Sequence, residues 1–226
     1  MQARLTSETD LAGFREEART LLANQVPPEQ VDWLTAPNAE QLAEVVPVDS
    51  NGQRHVPRAA MAIVPASFLR LCEVVVLHRD PERFALLYRL LWRLVHEPAL
   101  RGDAVDAEML AAQQMGQAVR RDLHKMKALL RFRPVFERPD APEPLNLAWF
   151  QPNHHIVEAG APWFVQRFSQ QPWAILTPQR SARWRPDGQR LEFGPAPRNA
   201  LAQGPDPGDA ALLAGYRAIF CAHDAA

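Results

Sequence analysis

"LNLAWFQPNHHIVEAGAPWFVQRFSQQPWAILTP", residues 145–178, is the stretch that decides the fold. Its two ends, "LNLAWFQ" and "PWAILTP", are short runs of branched and aromatic residues beside proline, the pattern of strands. Between them "APWFVQRFS" spaces its apolar residues as a helix does. Further on, "ARWRP" and "QRLEFG" read as two more strands, joined through "RPDGQR", where Asp187-Gly188 is a hairpin signal. Upstream, "RFRPVFE" is another extended run. The texture changes at Arg131, beyond which lie 13 of the 21 prolines and four of the six tryptophans.

Before Arg131 the chain is helical. "DLAGFREEARTLLANQV" puts Leu11, Phe14, Ala18, Leu21 and Leu22 at helical spacing, and Pro27-Pro28 stops it. Pro65 belongs in the first turn of a helix through "ASFLRLCEVVVLHR", and Pro81 opens another through "ERFALLYRLLWRLVHE". A longer helix runs from about Asp106 to Leu130. Between Trp33 and Pro57 a connector is broken by Pro37, Pro47 and Asn51-Gly52, with "LAEVVPVD" a short strand or helical turn. The reading is α+β: a helical N-terminal layer (1–130) packed with a small, mainly antiparallel sheet. That sheet belongs to a small α+β portion of the same domain (131–200). Residues 201–226 then make a linker and a short terminal helix near "DAALLAGYRAIF".

The 226 residues are 47% hydrophobic, enough for a sizeable core. No apolar run reaches the roughly 18–20 residues of a membrane span, and "MQARLTSETD" lacks the apolar region of a secretory signal. A cytoplasmic protein without membrane attachment is expected. Cys72 and Cys221 are too few for an iron–sulfur cluster and read as reduced thiols. No Gly-rich phosphate loop, Gly-x-Ser-x-Gly elbow or metal-binding carboxylate motif occurs. No metal and no cofactor are expected.

The net charge of -1 hides an asymmetry. Residues 1–119 carry 11 Lys and Arg against 16 Asp and Glu, and residues 120–198 carry 13 against 7. "RRDLHKMKALLRFR", residues 120–133, holds both lysines and four arginines with one acid. At about 100° per residue Val119, Leu123, Met126 and Leu130 make a core stripe. Arg120, His124, Lys127 and Arg131 form a row beside it, and Arg121 and Lys125 widen that row. Asp122 falls toward the other edge of the polar surface. Acids of the same fold, nucleic-acid phosphate or a smaller anion would each answer such a face.

"LHKMKALLRFR" followed by "WFQPNHHIVEAGAPWFVQRFSQQPWAILTPQRSARWRPDGQRLEFGP" resembles a bacterial DNA-repair-associated domain of unknown function. That domain is found fused N-terminal to UdgX-type uracil-DNA glycosylases, and stand-alone versions are associated with a radical-SAM protein. "FREEARTLLANQVPPEQVDW" and "RDPERFALLYRLLWRL" look like it too. The family's motifs fall on His124, Lys125, Met126, Arg131, Phe132 and Arg133, on Pro152 and His154, on Phe164, Arg167 and Phe168, and on Trp173, Ile175 and Pro178. After Tyr216 to Phe220 the family's Asn-Pro-Ala-Arg-type and Met-Pro…Tyr-Trp segments are absent, and "FCAHDAA" stands instead. No glycosylase portion follows, so the fused partner's uracil chemistry is not expected of these residues.

The resemblance and the charge together imply a DNA-binding accessory module in repair, acting with a uracil-DNA glycosylase-like or radical-SAM partner. Its phosphate contacts would be Arg120, Arg121, Lys125, Lys127, Arg131 and Arg133, with Arg167, Arg183 and Arg185 adding to them. The helix and the Arg180–Arg190 hairpin would then form one positive patch. Trp184, between two arginines, is the expected exposed ring for base stacking. A second reading is an enzyme or enzyme subunit acting on nucleic acid, with His124 and one of His154 or His155 lining a cleft as acid or base. A third is a protein-interaction module whose basic face docks an acidic partner.

Overall fold

In the computed structural model residues 1–35, 64–103, 105–138, 141–197 and 207–221 are described, and the architecture is that of these residues. The chain divides into two units, Met1–Val119 and Arg120–Ala226.

In the first unit α1 (Leu11–Ala23) buries Phe14, Ala18, Leu21 and Leu22, the stripe its spacing predicts. Asp10 caps it, its carboxylate accepting the Gly13 N–H at 2.7 Å. After Asn24 the backbone turns left-handed at Gln25 (φ 53°), and Pro27-Pro28 bars continuation. α2 (Ala66–Val75) and α3 (Arg83–His96) follow the predicted positions, with Pro65 one residue earlier than expected, at the N-cap of α2. "LAEVVPVD" lies outside the described residues. Absent from the sequence reading are two four-residue strands, β1 (Gln2–Leu5) and β2 (Asp32–Thr35), paired in parallel. Ala3 and Leu5 of β1 point into the core.

Arg83 is the tie of this unit. Its side chain is 1% exposed and donates to the carbonyls of Val76, Asp80 and Glu8. It also pairs with the Glu8 carboxylate at 2.6 Å and lies over Phe84. A buried guanidinium is tolerated because five donors meet so many acceptors. The long helix α4 (Ala107–Leu129) starts in this unit, where the Asp106 carboxylate accepts the Met109 N–H.

The second unit is built on a five-stranded sheet in the order β3-β4-β5-β6-β7. The strands are Arg133–Val135, Leu145–Trp149, Trp173–Leu176, Arg180–Arg185 and Arg190–Pro195. Every run beyond Arg131 read as a strand is one. Only β4 and β5 pair in parallel, which a crossover makes possible: α5 (Val157–Arg167) joins them. The other three pairings are antiparallel, so the fold is α+β with a mainly antiparallel sheet. α6 (Asp209–Tyr216) and a π-turn over Arg217–Cys221 close one face, where Leu212, Tyr216, Ile219 and Phe220 meet Leu145, Leu147, Ala174 and Leu176. Gly194 of β7 permits this approach, because a Cβ there would collide with Ile219. On the opposite face Phe164 of α5 packs with Trp173 and Phe132. The β6–β7 hairpin turns through a 3-10 segment at Pro186–Gly188. The left-handed residue is Gln189 (φ 48°), where the sequence pointed to Asp187-Gly188.

Candidate nucleic-acid interface

The last turns of α4 follow the helical wheel. Val119, Met126 and Leu130 are buried and Leu123 is half-buried, so this stripe faces the core. Arg120, His124, Lys127 and Arg131 stand exposed beside it, and Arg121 and Lys125 are exposed beyond them. Arg120, Arg121 and Lys125 make no ion pair with any described residue. Arg131 donates to the carbonyls of Ala128 at 2.8 Å and Leu130 at 3.0 Å, closing the helix C-terminus where the dipole favours a cation. Lys127 holds its ammonium 5.7 Å from the centre of the Trp163 ring.

Asp122 is not at the edge of the polar surface. It is 3% exposed, and one carboxylate oxygen accepts the backbone N–H groups of Asn153 at 2.8 Å and His154 at 3.0 Å. On the wheel it sits about 60° from the core stripe, close enough to be covered. Its charge is spent on the turn that carries "PNHH". The only acid in the basic stretch therefore neutralises none of the exposed cations.

Three of the four arginines of the hairpin, Arg180, Arg183 and Arg185, are paired with acids, and Arg190 is exposed. Arg183 stands directly opposite Glu192 across β6 and β7, on the face closed by α6 and the π-turn. It is 5% exposed, pairs with Glu192 at 2.5 Å and donates to the Phe220 carbonyl. Arg185 shares Glu192 at 2.9 Å, and Arg180 pairs with Glu158 of α5 at 2.5 Å. Trp184 points to the other face, opposite Trp173, is 6% exposed and donates to the Ser169 carbonyl. The exposed ring expected at Trp184 is thus a core residue. Both sheet faces are covered along Ser181–Trp184, so in the middle of the strand neither orientation reaches solvent. Arg133 is likewise engaged, with the Pro207 carbonyl and with Asp209 at 3.4 Å.

Sequence reasoning assigned the exposed ring to Trp184 and not to Trp163. All six tryptophans are described, and Trp163 alone is exposed, at 36%. It lies on α5 one turn before Arg167, which is also exposed. The helical wheel carried the signal: α5 buries Val157, Gly160, Ala161 and Phe164, and Trp163 falls about 110° from the middle of that side.

The histidines stand in three environments. His124 is exposed on the basic row, His155 is half-buried, and His154 is buried with its backbone held by Asp122. Among the described residues no group of three or more His, Cys, Asp or Glu side chains is placed to hold a metal ion. A cavity of about 430 Å³ opens at the far end of the hairpin. Its lining sets Glu137, Glu143 and Asp187 against Arg138, Arg183 and Arg185, so it offers no surplus of positive charge. Burial pushes the phenol of Tyr216, also in that lining, above its ordinary value, although the Arg183 guanidinium hydrogen-bonded to it pulls the other way. No described helix is long and apolar enough to cross a membrane.

A family model described as a domain of unknown function, DUF4130, matches residues 81–203, more than half of the chain. No curated protein and no solved structure matches it.

Proposed function

The chain belongs to the DUF4130 family, a domain of unknown function, and we propose that it is a DNA-repair accessory module that holds nucleic-acid phosphates on the exposed face of α4. The contacts are Arg120, Arg121, Lys125, Lys127 and Arg131, with Arg167 of α5 beside them. One observation carries the reading. Arg120, Arg121 and Lys125 are exposed cations without an ion pair among the described residues, while Arg133, Arg180, Arg183 and Arg185 of the same unit each have an acid. Like charges on neighbouring helical turns repel, and a polyanion relieves that repulsion while releasing its own counterions. The resemblance to the domain fused to UdgX-type glycosylases supports the repair setting, with a uracil-DNA glycosylase or a radical-SAM protein as the partner.

Binding of this kind is independent of sequence and steep in salt. With five phosphates neutralised on duplex DNA, log K falls against log[salt] with a slope of about -4.5. Arg121→Ala with Lys125→Ala flattens that slope by about two units and weakens all sequences alike. A titration of the chain against random duplex and single-stranded oligonucleotides at several salt concentrations measures both. Absence of binding to duplex and single strand alike at low salt by folded protein overturns the reading, and so does a slope the double variant leaves unchanged.

A further inference from the structure

Helices α4 and α5 lie side by side, and their contacts advance together. A Cβ on Gly160 would be 3.0 Å from the Met126 sulfur and 3.6 Å from Leu123. One turn on, Lys127 stands over Trp163, and beyond the end of α4 Phe132 meets Phe164 at 6.0 Å and Phe168 at 5.3 Å. The row Trp163–Arg167 on α5 therefore runs beside the row Arg120–His124–Lys127–Arg131 on α4, in the same direction. At the seam sits the one exposed indole of the molecule, with cations before it, over it and one turn after it.

Such a ring is not needed to fill the core. Phe164, next in sequence, is 1% exposed and makes the inward contact with Trp173. The Trp163 and Phe164 rings meet at 88° with centroids 4.9 Å apart, and Lys127 supplies a cation over the indole. A π-surface flanked by phosphate-binding cations is what a single strand uses: phosphates follow the charges and an unpaired base stacks on the ring. In duplex DNA the bases are stacked on one another and offer no free π-face. From this geometry, and resting on the phosphate-binding reading above, we infer that the ligand of the α4 face is single-stranded nucleic acid, one base of which stacks on Trp163.

The test uses the full chain and two single strands of equal length and charge, an oligothymidylate and an abasic oligomer, together with a duplex. The wild-type chain binds the oligothymidylate more tightly than the abasic strand. Trp163→Ala weakens oligothymidylate binding by about 5- to 150-fold, the range for loss of one stacked base. It leaves the abasic strand, the duplex and the salt slope unchanged. Trp163→Leu, which keeps an apolar contact on Phe164, loses the preference as Trp163→Ala does, and Trp163→Phe retains part of it. Oligothymidylate also quenches tryptophan emission in the wild type and not in Trp163→Phe, whose other indoles are buried or half-buried. Equal loss on both single strands, or no loss on the oligothymidylate, overturns this inference while salt-dependent duplex binding leaves the phosphate-binding reading standing. Binding to none of the three ligands at low salt overturns both.

Discussion

At the scale of the residue, Asp122 and Trp163 exchange the roles that charge and ring type suggest. The acid is a buried fastening and the indole faces solvent, because burial on a helix follows angle around the axis more closely than polarity. Asp122 lies on the flank of a stripe that another element covers, so its carboxylate is buried where two backbone N–H groups answer it. Asp122→Ala leaves both donors without that acceptor at a cost of about 1–3 kcal/mol. Asp122→Asn, whose amide oxygen still accepts, recovers part of it. Urea denaturation with an unchanged m-value measures the difference, and an unshifted midpoint for Asp122→Ala would deny the fastening. Both positions were legible from the wheel. What the wheel lacks is the identity of the covering element, here the "PNHH" turn from more than 30 residues away.

At the scale of the element, the β6–β7 hairpin was recognisable from "ARWRP", the Asp-Gly turn and "QRLEFG", yet its chemistry was not. Alternation places Arg183 and Arg185 on one face and Trp184 on the other, and only the sheet's two covers decide that Arg183 and Trp184 are both interior. Register then sets Glu192 opposite Arg183. Burial alone would raise the Glu192 pKa, but hydrogen bonds from Arg183 and Arg185 outweigh burial and hold it below the ordinary 4.5. A carboxyl whose folded value is depressed stabilises the fold fully above the unfolded value and loses that contribution as pH falls through the folded one. Wild-type stability therefore declines below about pH 4.5 more steeply than that of Glu192→Gln, which carries no such group. Parallel acid titrations followed by circular dichroism test this, and identical acid limbs would refute it. The short strands β1 and β2 went unread for a different reason: four residues give two inward positions, too few to establish alternation.

At the scale of the whole molecule, charge divides where the fold does. Residues 1–119 carry a net -5, and residues 120–226, with 14 Lys and Arg against 10 Asp and Glu, a net +4. The cysteines report on the two units separately. Cys72 is 3% exposed in the first core, where burial pushes its thiol up to about 12 against the pull of Arg15, while Cys221 in the second unit is half-buried. At pH 8 a thiol reagent modifies Cys221 in the native protein and reaches Cys72 only with denaturant, since the thiolate is the reactive form. Equal rates for both in native protein would contradict the first core. The sequence by itself determined the α+β class, every strand of the larger sheet, the helices and the basic row of α4, because periodicity and proline placement act locally. Tertiary structure decided which cations stay unpaired, since Glu158, Glu192 and Asp209 reach Arg180, Arg183, Arg185 and Arg133 only through strand register and the docking of α5 and α6. It also decided which indole meets solvent, because exposure depends on what covers a surface and the cover comes from distant parts of the chain.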